Sequence, residues 1–513
     1  MNSALPATDP HRGDVCALLE AGHDRDPRAV AWREDGVDTT YAELLELVQA
    51  TAGVLRRQGV GPGDRVALLM PNTLAFPAVY YGALWLGAVV VPLNPLSTDR
   101  ELEYFLTDSQ AVLLWSMRGT SAAAEAAQAV GVPHLQSSPA DLRDVVAGAE
   151  PVRERTPRTS EEADAVVIYT SGTTGQSKGA RLSHRTVASS AVLTSEALDW
   201  LQAGHTVLGV LPFFHVFGMS AALNMPLYTG CRNSVVTRFA PHTALEQVVR
   251  DEVRALPAVP TMIGALLRAL RSARAKGDDV DLSALRYILS GGAPLPVETL
   301  HEAEEEFGVP VREGYGLTES CGPVSFNPML RPSRAGTVGQ PLPGVEFRLV
   351  TTDGVEVPAG DTETPGELRI HGPVLMTGYL GEPQADAASF DDEGWLRTGD
   401  VATRDEEDYY RIVGRLKDII IHGGYNVYPR EVEEAFYEHP AVSEAAVLGV
   451  PDERFGEKVV AYVALQDGPE VEVAELNAFV RERLASYKWP SQVTVMDALP
   501  KNTTGKIVKD LLR

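Results

Sequence analysis

The chain has 513 residues, of which 44% are hydrophobic and 22% charged, and its formal net charge is -25. That length exceeds one ordinary hydrophobic core, so at least two domains are expected. A chain this acidic lacks the basic face that nucleic acids and anionic membranes require, so neither is expected as a partner, and any anionic ligand must be met by a local cluster of cations and backbone donors.

Residues 1–14 are polar and contain prolines, with no apolar core to act as a signal peptide. No stretch is long and apolar enough for stable membrane insertion. Cys16, Cys231 and Cys321 are far apart and lack metal-ligand spacing, which points to buried thiols in a reduced, cytoplasmic setting. The 11 histidines form no close metal-binding pattern, so no structural zinc is expected.

Residues 65–70 read as an apolar strand. Residues 87–92 read as a second, after a helix-like stretch bearing Tyr80, Tyr81, Leu84 and Leu86. Continuous apolar strands beside helices imply sheets covered on both faces. Residues 137–163, rich in Pro, Ser, Glu and Arg, read as an exposed connection. Residues 165–169 form a buried strand by pattern. That strand runs into Tyr169-Thr170-Ser171-Gly172-Thr173-Thr174-Gly175-Gln176-Ser177-Lys178-Gly179. Glycines let backbone N–H groups approach oxygen anions, hydroxyls add donors, and the lysine adds a positive charge. Such a loop suits a polyphosphate, although its spacing is not that of a Walker A motif.

Further along, the strand Tyr287-Ile288-Leu289 precedes Ser290-Gly291-Gly292-Ala293-Pro294. The acidic run 302–306 reads as a solvated helix face. A compact pattern follows Gly414-Arg415-Leu416-Lys417-Asp418. It comprises a helix over 431–437, strands over 444–450 and 458–465, a helical stripe through Val473, Leu476, Phe479, Val480 and Leu484, and a strand at Val493 and Val495. The expected fold class is therefore α/β: a large N-terminal domain of helix-covered sheets over 1–415, and a small α+β domain over 416–513.

Polar chemistry recurs in other turns: Glu313-Gly314-Tyr315-Gly316-Leu317-Thr318-Glu319, Trp395-Leu396-Arg397-Thr398-Gly399-Asp400, the Gly414–Asp418 segment, and Lys501-Asn502-Thr503-Thr504-Gly505-Lys506. With the two loops above, in this order and spacing, these segments resemble the adenylate-forming superfamily over nearly the whole chain. That family includes acyl-CoA synthetases, amino-acid-activating domains of peptide synthetases and firefly luciferase. One departure is Ser177, where the family commonly has proline.

The resemblance implies a two-step ligase. A carboxylate attacks the α-phosphorus of Mg-ATP, giving an acyl-adenylate and pyrophosphate, and a thiol then displaces AMP. It implies that Thr170, Ser171, Gly172, Thr173, Thr174 and Lys178 hold the β- and γ-phosphates. Tyr315, flanked by Glu313, Gly314 and Gly316, would offer a flat face to adenine, with Gly291, Gly292 and Ala293 along the other side of the base. Thr318 would donate to the α-phosphate, and Glu319 is a hard oxygen ligand suited to Mg2+. Asp400 would accept from the ribose hydroxyls, with Arg415 as a charge-assisted partner. Lys506 would bridge the α-phosphate and the attacking carboxylate in the transition state. Lys417 would be the hinge about which the mobile small domain turns, bringing the Gly423-Gly424-Tyr425 loop to the site, with Gly424 among the binding residues.

Leu211-Pro212-Phe213-Phe214-His215-Val216-Phe217-Gly218-Met219 resembles the family's acyl-site motif, with His215 beside the bound carboxylate. Amino-acid-activating relatives carry an aspartate for the substrate ammonium, which this motif lacks. Phe214, Val216, Phe217, Met219 and Val259 suit an aliphatic or aryl acid, and no surplus arginine is assignable to a second carboxylate. A short or medium aliphatic acid is the expected substrate. No carrier domain is expected after Lys506, so the thiol would be coenzyme A. The alternative is the phosphopantetheine of a free-standing acyl carrier protein. Arg454, Lys458 and Lys488 are candidate contacts for the CoA phosphates. A phosphotransferase would need a Walker or kinase signature, and a non-catalytic binding module would be expected to lack Lys506 or Glu319.

Overall fold

The computed structural model describes residues 13–157, 160–170, 177–198, 201–466, 471–501 and 507–512. Its first βαβ unit shows what drives the fold. Arg65–Leu69 pairs in parallel with Val89–Leu93, and the connecting helix Ala75–Trp85 is buried at all of its positions. A helix apolar on every face must be covered on every face, so it is packed between the strands of its own unit and neighbouring helices rather than lying on a surface. Tyr80 and Tyr81 keep their hydroxyls in this core because Asn224 bonds to both, at 3.3 and 2.8 Å.

The described residues build four sheets. The seven-stranded sheet runs Gly378–Tyr379, Lys178–Ser183, Asp164–Thr170, Val89–Leu93, Arg65–Leu69, Leu113–Met117, His134–Ser137. Its last five strands are mutually parallel. The hairpin of Asp164–Thr170 and Lys178–Ser183 is antiparallel. In the nine-stranded sheet, Tyr287–Ser290 lies parallel to Val253–Ala258 and Val311–Leu317. A four-stranded antiparallel sheet follows, made of Glu346–Val350, Gly366–His371, Leu396–Arg404 and Tyr410–Arg415.

Beyond Arg415 the chain forms a five-stranded sheet of Ile420–His422, Tyr425–Val427, Val442–Asp452, Gly456–Leu465 and Gln492–Met496. Helices Pro429–Tyr437 and Val473–Arg481 cover it. Its core, with Val432, Phe436, Val447, Val463, Leu476 and Val480, is separate from the cores of the preceding residues. The architecture is thus α/β with a small α+β unit, as the sequence pattern indicates. The long hairpin extends beyond the expected 444–450 and 458–465, because polar residues at its turn continue the backbone pairing to Asp452 and Gly456.

All three cysteines are buried free thiols. Burial pushes the Cys231 and Cys321 thiols up to about 12, which leaves them unreactive. Among the described residues, no helix is long and apolar enough to cross a membrane.

The first half of the segment 137–163 departs from the expectation of an exposed connection, while most described positions from Arg153 on are exposed. It contains a helix, Leu142–Val146, and buries Leu142, Val146, Ala149 and Val152. Its apolar positions outweigh its polar composition. Trp85 Nε1 donates to the Val152 carbonyl at 2.8 Å, and Thr156 N donates to the Trp85 carbonyl at 3.0 Å. A β-carbon at Gly53 would lie 2.2 Å from the Glu150 carbonyl oxygen, closer than two such atoms can approach. Gly53→Ala should therefore push this strap off the core and lower stability by about 1–3 kcal/mol. Denaturant unfolding of the two proteins measures this, and an unchanged midpoint would show that the strap yields freely.

Candidate active site

The phosphate-loop hairpin brings Thr170 opposite Lys178, with Thr170 Oγ1 donating to the Lys178 carbonyl at 3.4 Å. Ser171, Gly172, Thr173 and Thr174 lie outside the described residues, as does Lys506. The Lys178 ammonium lies 5.7 Å from the centroid of the Tyr379 ring. The Tyr379 hydroxyl donates to Glu319 Oε1 at 2.7 Å. One side chain therefore joins the phosphate-loop lysine to the carboxylate of a motif some 140 residues away. Burial, reinforced by the Glu319 charge, pushes the Tyr379 phenol up and keeps it a donor. Tyr379 is placed by edge pairing of Gly378–Tyr379 with Lys178–Ser183. Sequence reasoning misses it, because a two-residue strand carries no periodic signal.

Thr318 and Glu319 occupy a single 3-10 turn, Thr318–Ser320. Ser320 Oγ accepts from Leu317 N at 2.9 Å and donates to the Gly322 carbonyl at 3.0 Å. Cys321 ends the turn in a left-handed conformation, φ +54°, uncommon for a residue with a side chain. Just before the turn, a β-carbon at Gly316 would sit 1.9 Å from the Gly322 carbonyl oxygen, so only glycine fits.

Asp400 is 3% exposed and stands opposite Arg415 on the neighbouring strand. Arg415 Nε meets its Oδ1 at 2.8 Å. The Tyr315 hydroxyl donates to Oδ2 at 2.5 Å. A carboxylate has about four lone-pair sites, so both oxygens keep capacity to accept from a diol. Burial first, then the Asp400 charge, pushes the Tyr315 phenol up.

Glu313 pairs in register with Ser290. Its Oε1 accepts from Leu295 N at 3.0 Å, which braces the loop carrying Gly291, Gly292 and Ala293. Oε2 is buried with no partner among the described residues. Burial raises the carboxyl from 4.5 to about 7, against the opposing charge of Arg430. The Glu313 side chain thus supports the loop's backbone. Gly314 continues the same strand, across from Phe326.

An apolar cavity of about 30 Å³ is lined by Leu211, Pro212, His215, Phe217, Gly218, Val259, Met262 and Gly292. Val216 and Met219 instead pack into the main core and Phe214 lies against it, so three of the five apolar residues singled out from the sequence miss the cavity. Gly218 of the cavity lining begins a π-helix, Gly218–Asn224, a form frequent at functional sites. Gly424 and Lys417 are exposed, and no described contact joins either to this cluster. Lys488 is ion-paired with Glu431, and Arg454 lies over the Phe455 ring at 4.9 Å. A larger groove of about 710 Å³, lined by Asp14, Glu20 and Arg155 among others, shares no residue with the site. Its Arg155 is already paired with Asp14 and Glu20.

The family described as AMP-binding enzyme matches residues 19–380, and the AMP-binding enzyme C-terminal domain matches residues 431–506. The chain belongs to the AMP-binding enzymes. It is an adenylate-forming ligase of the acyl-CoA synthetase type. A feruloyl-CoA synthase of Amycolatopsis sp is 38% identical, over 95% of this chain and 96% of that one. A long-chain-fatty-acid–CoA ligase of Bacillus subtilis (strain 168) is 34% identical, over 96% and 93%. The crystal structure of ATP-bound MatB from Rhodopseudomonas palustris is similar with a TM-score of 0.89 at 33% identity, over 97% of this chain and 98% of that one.

In this AMP-binding enzyme no three His, Cys, Asp or Glu side chains cluster as a metal site among the described residues. Magnesium that arrives with a nucleotide needs only one or two carboxylates, the phosphates supplying the rest. Glu319, linked through Tyr379 to the phosphate-loop lysine, fits that demand.

The buried Glu313 makes the enzyme's stability depend on pH. A carboxyl raised to about 7 in the fold and near 4.5 unfolded favours folding while it is protonated. That contribution is full below about pH 4.5 and lost as pH rises through 7, on the order of 3 kcal/mol in all. Glu313→Gln should flatten the pH dependence across this window. Denaturant unfolding at pH 5 and pH 8 measures it, and equal pH slopes in the two proteins would refute the assignment.

Proposed function

We propose that this enzyme activates a short- or medium-chain aliphatic carboxylic acid as its acyl-adenylate and transfers the acyl group to coenzyme A. The observation that carries this reading is the position of Gly292. It lines the apolar cavity and belongs to the loop braced by Glu313 beside the Tyr315 strand. Acyl cavity and nucleotide-facing residues thus share one wall, where a carboxylate can meet an α-phosphate.

In this reading Tyr315 and the 291–293 loop flank the base, and Asp400 accepts from the ribose hydroxyls with Arg415 at its side. The phosphate loop from Thr170 to Lys178 holds the β- and γ-phosphates, and Thr318 donates to the α-phosphate. Glu319 would hold Mg2+, which when bound neutralises phosphate charge. The acid's tail enters the cavity and its carboxylate lies beside His215. A carboxylate oxygen attacks the α-phosphorus, the bond to the bridging oxygen breaks, and pyrophosphate leaves. Lys506 bridges the charge that spreads over both groups, stabilising the transition state more than the ground state. The unit over 416–513 then turns about Lys417 and brings the Gly424 loop to the acyl-adenylate. The thiol sulfur attacks the acyl carbon, AMP leaves, and the thiol proton passes to solvent. The separate core beyond Arg415 and the exposed turn at Leu416–Asp418 support such a rotation.

The relatives named for ferulate and long-chain fatty acids make the acid the first thing to test. Pyrophosphate release over acids graded from acetate to palmitate, with aryl acids and malonate included and CoA present, should peak in the short-to-medium aliphatic range. An aryl or long-chain optimum would overturn the assigned acid. Adenylation without acyl-CoA would move the acceptor to an acyl carrier protein. Lys506→Ala should lose adenylation about a hundred-fold or more yet still convert supplied acyl-adenylate to thioester. Equal loss of both half-reactions would refute the domain rotation.

A further inference from the structure

Two side chains of the helix Asp99–Asp108, used nowhere in the chemistry above, reach the two stems of the phosphate-loop hairpin. The Tyr104 hydroxyl donates to the Ser177 carbonyl at 2.7 Å. The Tyr169 hydroxyl donates to Asp108 Oδ2 at 2.6 Å. Tyr169 opens the loop motif and Ser177 closes it. Tyr104 and Asp108 are four residues apart and so share one face of the helix.

The contacts are built rather than incidental. The Tyr169 ring packs on Phe105 at 4.6 Å between centroids and meets Tyr104 edge-on at 6.0 Å. This cluster fixes where both hydroxyls point. Asp108 is the last residue of the helix, where a carboxylate is opposed by the negative end of the helix dipole. The Tyr169 hydrogen bond offsets that placement. Burial first, then Asp108 itself, pushes the Tyr169 phenol up, so it stays a donor. At its other end the helix is closed by a capping box between Thr98 and Glu101, which makes it a firm support. Ser177 immediately precedes Lys178, and Lys178 pairs with Thr170 across the hairpin. A hydrogen bond to the Ser177 carbonyl therefore holds the peptide unit from which the lysine projects.

We propose that the helix Asp99–Asp108 clamps both stems of the phosphate-binding hairpin, with Tyr104 and Asp108 as positioning residues that aim Lys178 at the β- and γ-phosphates of ATP. This rests on the ligase reading. It has a consequence that packing alone lacks. Pyrophosphate has left before the thiol arrives, so the clamp serves the first half-reaction and not the second.

The test is Tyr104→Phe, which keeps the ring and removes only the hydroxyl. Pyrophosphate release against ATP concentration should show KM for ATP raised about three- to tenfold, the range expected for one lost hydrogen bond. KM for the acid and thioester formation from supplied acyl-adenylate should change by less than about twofold on the same scale. Asp108→Ala should act in the same direction, and Asp108→Asn, which retains an acceptor for Tyr169, should recover most of the loss. An unchanged KM for ATP in Tyr104→Phe overturns the clamp. So does a parallel fall of both half-reactions with a lowered melting temperature, which would make the contacts structural. If the unaltered enzyme releases no pyrophosphate with any acid, it is the ligase reading that fails.

Discussion

A buried carboxylate must find donors, and Asp400 finds them on two different sheets. Arg415 comes from its own antiparallel sheet and Tyr315 from the nine-stranded one. Leaving such a charge unpaired in the interior would be strongly destabilising. The requirement therefore ties the two sheets at one point, which lies at the last strand residue before the C-terminal unit. The strand that carries Tyr315 leads directly into Thr318 and Glu319, so the position of one charge propagates to the turn that holds them.

A second set of buried polar contacts joins that turn to the acyl motif. The Ser190 hydroxyl bonds Ser220 on the π-helix at 2.7 Å and the Cys321 carbonyl at 2.7 Å. A β-carbon at Gly322 would come within 3.2 Å of the Val216 carbonyl. The left-handed conformation of Cys321 is an unfavourable backbone state, held in place by these bonds and by Ser320. The cavity at Phe217, the Glu319 carboxylate and the Asp400 carboxylate are thus joined through one set of buried contacts.

The small C-terminal unit contrasts with this. It has its own core, and the turn that leads to it is exposed. Polar contacts reach it from the large unit, such as Arg411 to Glu434 at 3.9 Å, but such exposed ion pairs contribute little energy.

The sequence by itself determines the strands and the motifs. The apolar run over 165–169 reads as a covered strand, and serines, threonines and glycines around one lysine suit an anion. The order of Tyr315, Thr318, Glu319, Asp400 and Arg415 carries the family resemblance. These are local properties of spacing and composition, and need no knowledge of neighbours. The tertiary structure alone decided which residues meet. It set Tyr379 between Lys178 and Glu319, and Tyr104 beneath Ser177. It turned Glu313 toward the backbone and left Phe217 and Val259, but not Met219, at the cavity. It also laid Leu142, Val146, Ala149 and Val152 onto the core despite the polar composition around them. Each of these depends on side chains far apart in the chain meeting at hydrogen-bonding or van der Waals distance, and periodicity along a single strand or helix holds no information about what packs against it.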